Sequence, residues 1–89
     1  MPPKLRPGYP VPFSSPHGRK VGIAVDTHLA EEGRAQVVYV DAAFKARLAW
    51  LRWHEAGWHW AEPELEGPSA EDHPELEPYI FTVKNGRYG

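Results

Sequence analysis

Residues 41–65, DAAFKARLAWLRWHEAGWHWAEPEL, admit two folds, and the choice between them decides how the rest of the chain is read. As a helix, the stretch has Asp41 as an N-cap, helix-favouring Ala, Lys, Arg and Leu, and Gly57 where a helix would stop. Phe44, Leu48 and Leu51 then share a face, but Arg47 borders that face while Trp50 and Trp53 fall to its side and back. As a hairpin turning around Ala56-Gly57 with an even loop, it sets His54 opposite His59 and Trp53 opposite Trp60. Ala49, Leu51, Trp53, Trp58 and Trp60 then line one face, and Arg52, His54 and His59 line the other. The hairpin gathers three of the four tryptophans on one apolar face. A mainly β fold is therefore expected. An α+β fold, with a helix over 42–56 packed on a small antiparallel sheet, is the alternative.

Within this stretch, WHEAGWHW (residues 53–60) approaches the His-Glu-x-x-His signature of a zinc protease helix. The second histidine arrives one residue late. At i and i+5 on a helix, His54 and His59 diverge by about 140°, and Gly57 weakens any helix there. In a hairpin the two imidazoles stand side by side, with Glu55, His28 or His73 as the available further ligands. Cross-strand histidines are more often solvent-facing polar residues, so a turn is expected, with no metal and no cofactor.

Working outward, KVGIAVD (20–26) and AQVVYVD (35–41) carry the period-two alternation of half-buried strands, separated by a turn at Gly33. Strands are expected near 20–26, 35–40, 48–54, 58–62 and 79–84, the last from YIFTVK. The expected core is Val21, Ile23, Val25, Val38, Val40, Leu51, Trp53, Trp60 and Phe81. Residues 1–18 hold six prolines, which fix φ and remove backbone donors, and are read as a flexible arm outside the sheet. Residues 19–84 form the single small domain, and 85–89 a tail. Residues 62–77 carry seven carboxylates with no Lys or Arg, and read as an acidic loop.

Eighty-nine residues without cysteine allow one small domain held by apolar packing, to which four Trp, four Tyr and three Phe contribute. No run has the length of a membrane span and no leader pattern is visible, so a cytoplasmic location is expected. There is no phosphate-cradling glycine loop, no Gly-x-Ser-x-Gly, and no nucleophile with a base at a recognisable spacing. The chain does not read as an enzyme.

The succession GRKVGIAVD, GRAQVVYVD and ARLAWLRWHEAGWHWAEPEL resembles that of SH3-like small barrels of the KOW and Tudor-type group over about residues 18–66. Leu51, Trp53, Gly57, Trp60 and Leu65 take places comparable to a V-x-W-x-x-G-x-x-W-x-x-x-x-L hairpin. The resemblance implies a small barrel that binds proteins or nucleic acids, and no particular ligand. Two functions follow as expectations. The first is a non-catalytic accessory module docking on a larger protein assembly through its Pro-rich arm and an aromatic face, with Tyr9, Phe13, Trp50, Arg52, His54 and His59 as partner-binding residues. The second is a nucleic-acid-binding barrel using Lys4, Arg6, Arg19, Lys20, Lys45 and Arg47 beside Trp50 and Arg52. A net charge of −2 weighs against the second.

Overall fold

The computed structural model describes residues 2–86. Five strands, β1 (Pro10–Ser15), β2 (Gly18–Asp26), β3 (Arg34–Val40), β4 (Ala46–His54) and β5 (Gly57–Trp60), follow one another as an antiparallel meander and close into a barrel. An odd number of alternating strands leaves the first and last pointing the same way. Closure is accordingly a parallel pairing of β1 with β5, at Phe13–Trp58 and Ser14–His59. One helix, α1 (Glu77–Asn85), follows a 3-10 turn at Pro74–Leu76 and packs on the flank. The fold is mainly β, as expected.

The hairpin is real and the helix over 42–56 is not formed. Asp41, the would-be N-cap, organises the β3–β4 turn instead: its Oδ1 accepts the N–H groups of Ala43 and Lys45, each at 2.9 Å. The β4–β5 loop is the two-residue pair Glu55-Ala56, with φ of 49° and 60°. Two left-handed residues match the twist of a tight hairpin, although each non-glycine residue there costs about 1–2 kcal/mol. Trp53 therefore faces Trp58, and Leu51 faces Trp60, a slip of two from the expected pairing. Because side chains alternate with period two, the slip leaves both faces intact.

Two chain segments depart from expectation. Residues 10–15, read as part of a flexible arm, are a barrel strand with Val11 and Phe13 fully buried. Strand N–H groups point alternately left and right, and the Tyr9 carbonyl accepts Ala24 N–H at 2.8 Å. The donors of Val11 and Phe13 thus face β2. The donors that Pro10 and Pro12 lack fall on the other side, where β5 pairs only with Phe13 and Ser14. The prolines cost the sheet nothing there. Residues 79–84, expected as a strand, lie in α1, and Phe81, expected in the core, is 70% exposed. Leu76, Tyr79, Ile80 and Val83 recur at helical spacing and pack against Ile23, Val38, Ala46 and Leu48. The expected tail shortens likewise: Asn85 belongs to α1, and residues 87–89 lie outside those described.

The barrel thus has two apolar layers. The interior holds Phe13, Val37, Tyr39, Leu51 and Trp58, with Trp53 and Trp60 half-buried against them. Phe13 and Tyr39 meet edge to face at 6.1 Å, as do Tyr39 and Trp60 at 5.5 Å. The second layer lies outside the sheet, where Ile23 and Val38 are buried beneath α1 and not in the interior. Val21, Val25 and Val40 are only half-buried.

The acidic segment is also more structured than its composition suggests. β5 is too short to cover the start of β4, and the chain beyond it takes over: Leu48 N–H donates to Pro68 O at 2.8 Å, and Ala70 N–H to Ala46 O at 2.9 Å. Gly67 passes so close that a Cβ there would stand 1.7 Å from the Leu48 carbonyl oxygen. No helix among the described residues is long and apolar enough to cross a membrane.

Candidate binding face

Every second residue of β4 points away from the interior. Ala46 and Leu48 are buried in the apolar cluster that α1 joins; beyond that cluster, Trp50, Arg52 and His54 continue the same face without its cover. Trp50 is half-buried, stands opposite Gln36 of β3, and carries the Arg34 guanidinium 6.0 Å from its ring centroid. That distance is within reach of a cation–π contact.

Register extends the face sideways. Arg52 lies opposite Arg34 of β3 and opposite His59 of β5. His59 neighbours Ser14 of β1, and Ser14 lies opposite Arg19 of β2. Arg19 Nη1 donates to Ser14 Oγ at 3.2 Å, which shows that the two side chains share the outer side. One cross-strand row, Arg34–Arg52–His59–Ser14–Arg19, therefore crosses all five strands. Among the described residues, none of its three arginines is within ion-pair distance of a carboxylate. Beside it, Arg52, His54, His59, Trp60 and Ala61 line a concavity of about 430 Å³.

The histidine pair that resembled a zinc motif sits at the edge of this row. The rings of His54 and His59 are T-shaped with centroids 5.9 Å apart. His59 Nε2 is 3.0 Å from the His54 carbonyl oxygen, and His54 Nε2 is 3.4 Å from Glu55. No group of three His, Cys, Asp or Glu side chains suited to a metal gathers among the described residues.

The remaining sequence-derived residues scatter. Phe13 is wholly inside the barrel and presents nothing to a partner, contrary to expectation. Tyr9, 48% exposed, borders a separate, mainly apolar cavity of about 400 Å³ that Leu5, Pro10, Pro12, Trp53 and Trp58 also line. Of the set expected for nucleic acid, only Arg19 joins the row. Lys4 and Arg6 lie in the segment before β1, and Lys45 in the β3–β4 turn. Lys20 is turned to a third cavity, with His17, Tyr39, Asp41 and Glu66. Arg47 is occupied: its Nε reaches Asp41 at 2.5 Å and Glu66 at 2.8 Å, and its Nη1 donates to Gly67 O at 2.9 Å. The Arg47 guanidinium, helped by the turn N–H groups, holds the Asp41 carboxyl below the usual aspartate range, and the hydrogen bond to Asp41 raises Arg47 in return. Arg34, absent from the expected sites, is the residue the register adds. Its alternation with Gln36 and Val38, opposite in phase to the buried Ala35, Val37 and Tyr39, is the signal that placed it outside.

By its fold the chain is a small closed β-barrel with one helix on its flank. Comparison with protein-family models, curated proteins and solved structures returns no match.

Proposed function

We propose that this protein is a non-catalytic binding module that docks on a larger protein assembly, in the cytoplasm, through the outer face bearing Trp50, Arg52, His54 and His59. The observation that carries this reading is the division of β4: one half of its outer side is buried in the apolar cluster that α1 joins and the other is bare, with a half-buried tryptophan at the boundary. Tryptophan and arginine are the residue types that dominate interface hot spots. The Pro-rich contribution narrows to residues 2–9, which precede β1, with Tyr9 at its end. The SH3-like patterning of the sequence agrees with a binding barrel, as an analogy of fold.

The test pairs two measurements on Trp50→Ala. The isolated variant should melt close to the parent protein, and its recovery of the assembly from the native cell should fall, equivalent to a loss of about 2 kcal/mol or more. Full recovery by a folded variant removes this face from consideration.

A nucleic-acid-binding barrel is the second reading, and the arginine row is the observation that favours it. The net charge of −2 and the dispersal of Lys4, Lys20, Lys45 and Arg47 count against it. A gel shift with single-stranded and duplex oligonucleotides at two salt concentrations separates the two.

A further inference from the structure

We infer that the docking face takes an acidic, extended segment of a partner protein, laid along the Arg34–Arg52–His59 part of the row, which lies on three neighbouring strands. This rests on the docking reading above and specifies the chemistry of the partner.

The first argument is the state of the arginines. Arg47 shows what this chain does with a guanidinium it needs structurally: two carboxylates and a carbonyl surround it. Arg19, Arg34 and Arg52 are exposed and meet no carboxylate among the described residues, although the segment 62–77 is rich in them. Each guanidinium has five N–H donors in a planar fork suited to carboxylate. Further, Arg34 and Arg52 are direct cross-strand neighbours, an arrangement that repels. An anion seated between them converts that repulsion into binding.

Dimensions set the second argument. Adjacent strands lie about 4.8 Å apart, so Arg34–Arg52–His59, on three neighbouring strands, spans about 10 Å. That is the length of about three extended residues at ~3.3 Å each. Trp50, at the Arg34 end, offers an apolar shelf beside the charged track, which favours a segment with one apolar residue next to its acids.

Charge separates this occupant from a nucleic acid. β5 leads directly into Ala61, Glu62 and Glu64, so a polyanion running past the row meets the chain's own carboxylates. Three arginines also release few counterions, whereas phosphate-backbone binding draws its strength from many such releases.

The test uses fluorescence anisotropy with labelled hexaglutamate, hexalysine and hexathymidylate on the full chain. Hexaglutamate should bind saturably at low ionic strength and weaken as salt is added, while hexalysine should not bind. Arg52→Glu should weaken hexaglutamate about tenfold or more, and Arg34→Ser should act in the same direction. Lys45→Ser, in the exposed turn away from the row, should leave it unchanged. Melting curves of the Arg variants should match the parent, because both side chains are exposed. Absence of hexaglutamate binding, equal loss with Lys45→Ser, or tighter binding of hexathymidylate overturns the inference. If hexaglutamate fails while Trp50→Ala still releases the native assembly, the acidic occupant is wrong and the docking face stands.

Discussion

The outer side of β4 is two surfaces on one strand. At Ala46 and Leu48 it is buried in the apolar cluster that α1 joins, with Leu48 only 8% exposed; at Arg52 and His54, on the same face, it meets solvent. Backbone conformation does not distinguish the halves, since both belong to one continuous strand. Residue type and neighbouring cover do. Small and branched apolar side chains accept a helix, arginine and histidine refuse one, and Trp50, apolar in body with a polar N–H, stands where cover ends. The comparison teaches that one sheet face can be apolar and covered at one end and charged and open at the other.

Substitutions that treat the halves alike should break this contrast if it is wrong. Leu48→Asp places a carboxylate in a buried apolar cluster with no cation prepared for it, and should cost about 3–5 kcal/mol. Arg52→Asp, four positions along the same face, should change stability by less than about 0.5 kcal/mol. Urea unfolding of the two variants measures the difference, and equal effects would abolish the distinction. Next in size is the helix itself. Ile80→Ala, at a half-buried contact with the sheet, should cost about 1–2 kcal/mol, and Phe81→Ala, its exposed neighbour, close to nothing. The reverse ranking would restore the strand that alternation suggested for residues 79–84.

Acid should loosen the covered half selectively. Glu71 joins sheet to helix, accepting Ala46 N–H at 3.0 Å and the Lys84 ammonium at 2.7 Å. The Ala46 hydrogen bond first, and Lys84 second, hold its carboxyl below the ordinary glutamate value. A carboxylate depressed in the folded state contributes stability that is present above its unfolded pKa and is lost as pH falls through its folded pKa. Melting temperature should therefore decline as pH drops below about 4.5, and Glu71→Gln should flatten part of that decline. Asp41, depressed by Arg47, contributes in the same direction. At the boundary stability and binding should part: Trp50→Ala should lower stability by about 1 kcal/mol at most while binding suffers more.

Much of this architecture can be read in the sequence, and the parts that cannot have physical reasons. β2, β3 and the β4–β5 hairpin declare themselves because one face is buried and alternation follows. The bare face was legible for the same reason, surviving a register slip of two that moved Trp53 from Trp60 to Trp58. β1 was hidden by Pro10 and Pro12, since proline content carries no information on which side of a strand the missing donors fall. α1 was hidden because YIFTVK alternates as a strand would, and its helical partner Leu76 lies upstream among acids and prolines. Arg34 and Ser14 could join the row only once register and the existence of β1 were known. The Arg47–Glu66 ion pair was hidden because Glu66 is distant in sequence and close only through the strap along β4.

The parallel seam between β1 and β5 bears on the order in which the molecule assembles. Every other strand pairs with its immediate predecessor, through contacts that local chain motion can find quickly. The seam joins Phe13 to Trp58 and Ser14 to His59, and cannot form until the intervening hairpins are in place. β1 therefore emerges first from the ribosome with one flank waiting for the last strand of the barrel, and Phe13 stays without its full enclosure until β5 arrives. Its two prolines then take on a protective value during that interval. A strand edge with absent donors is a poor template for pairing with another nascent chain.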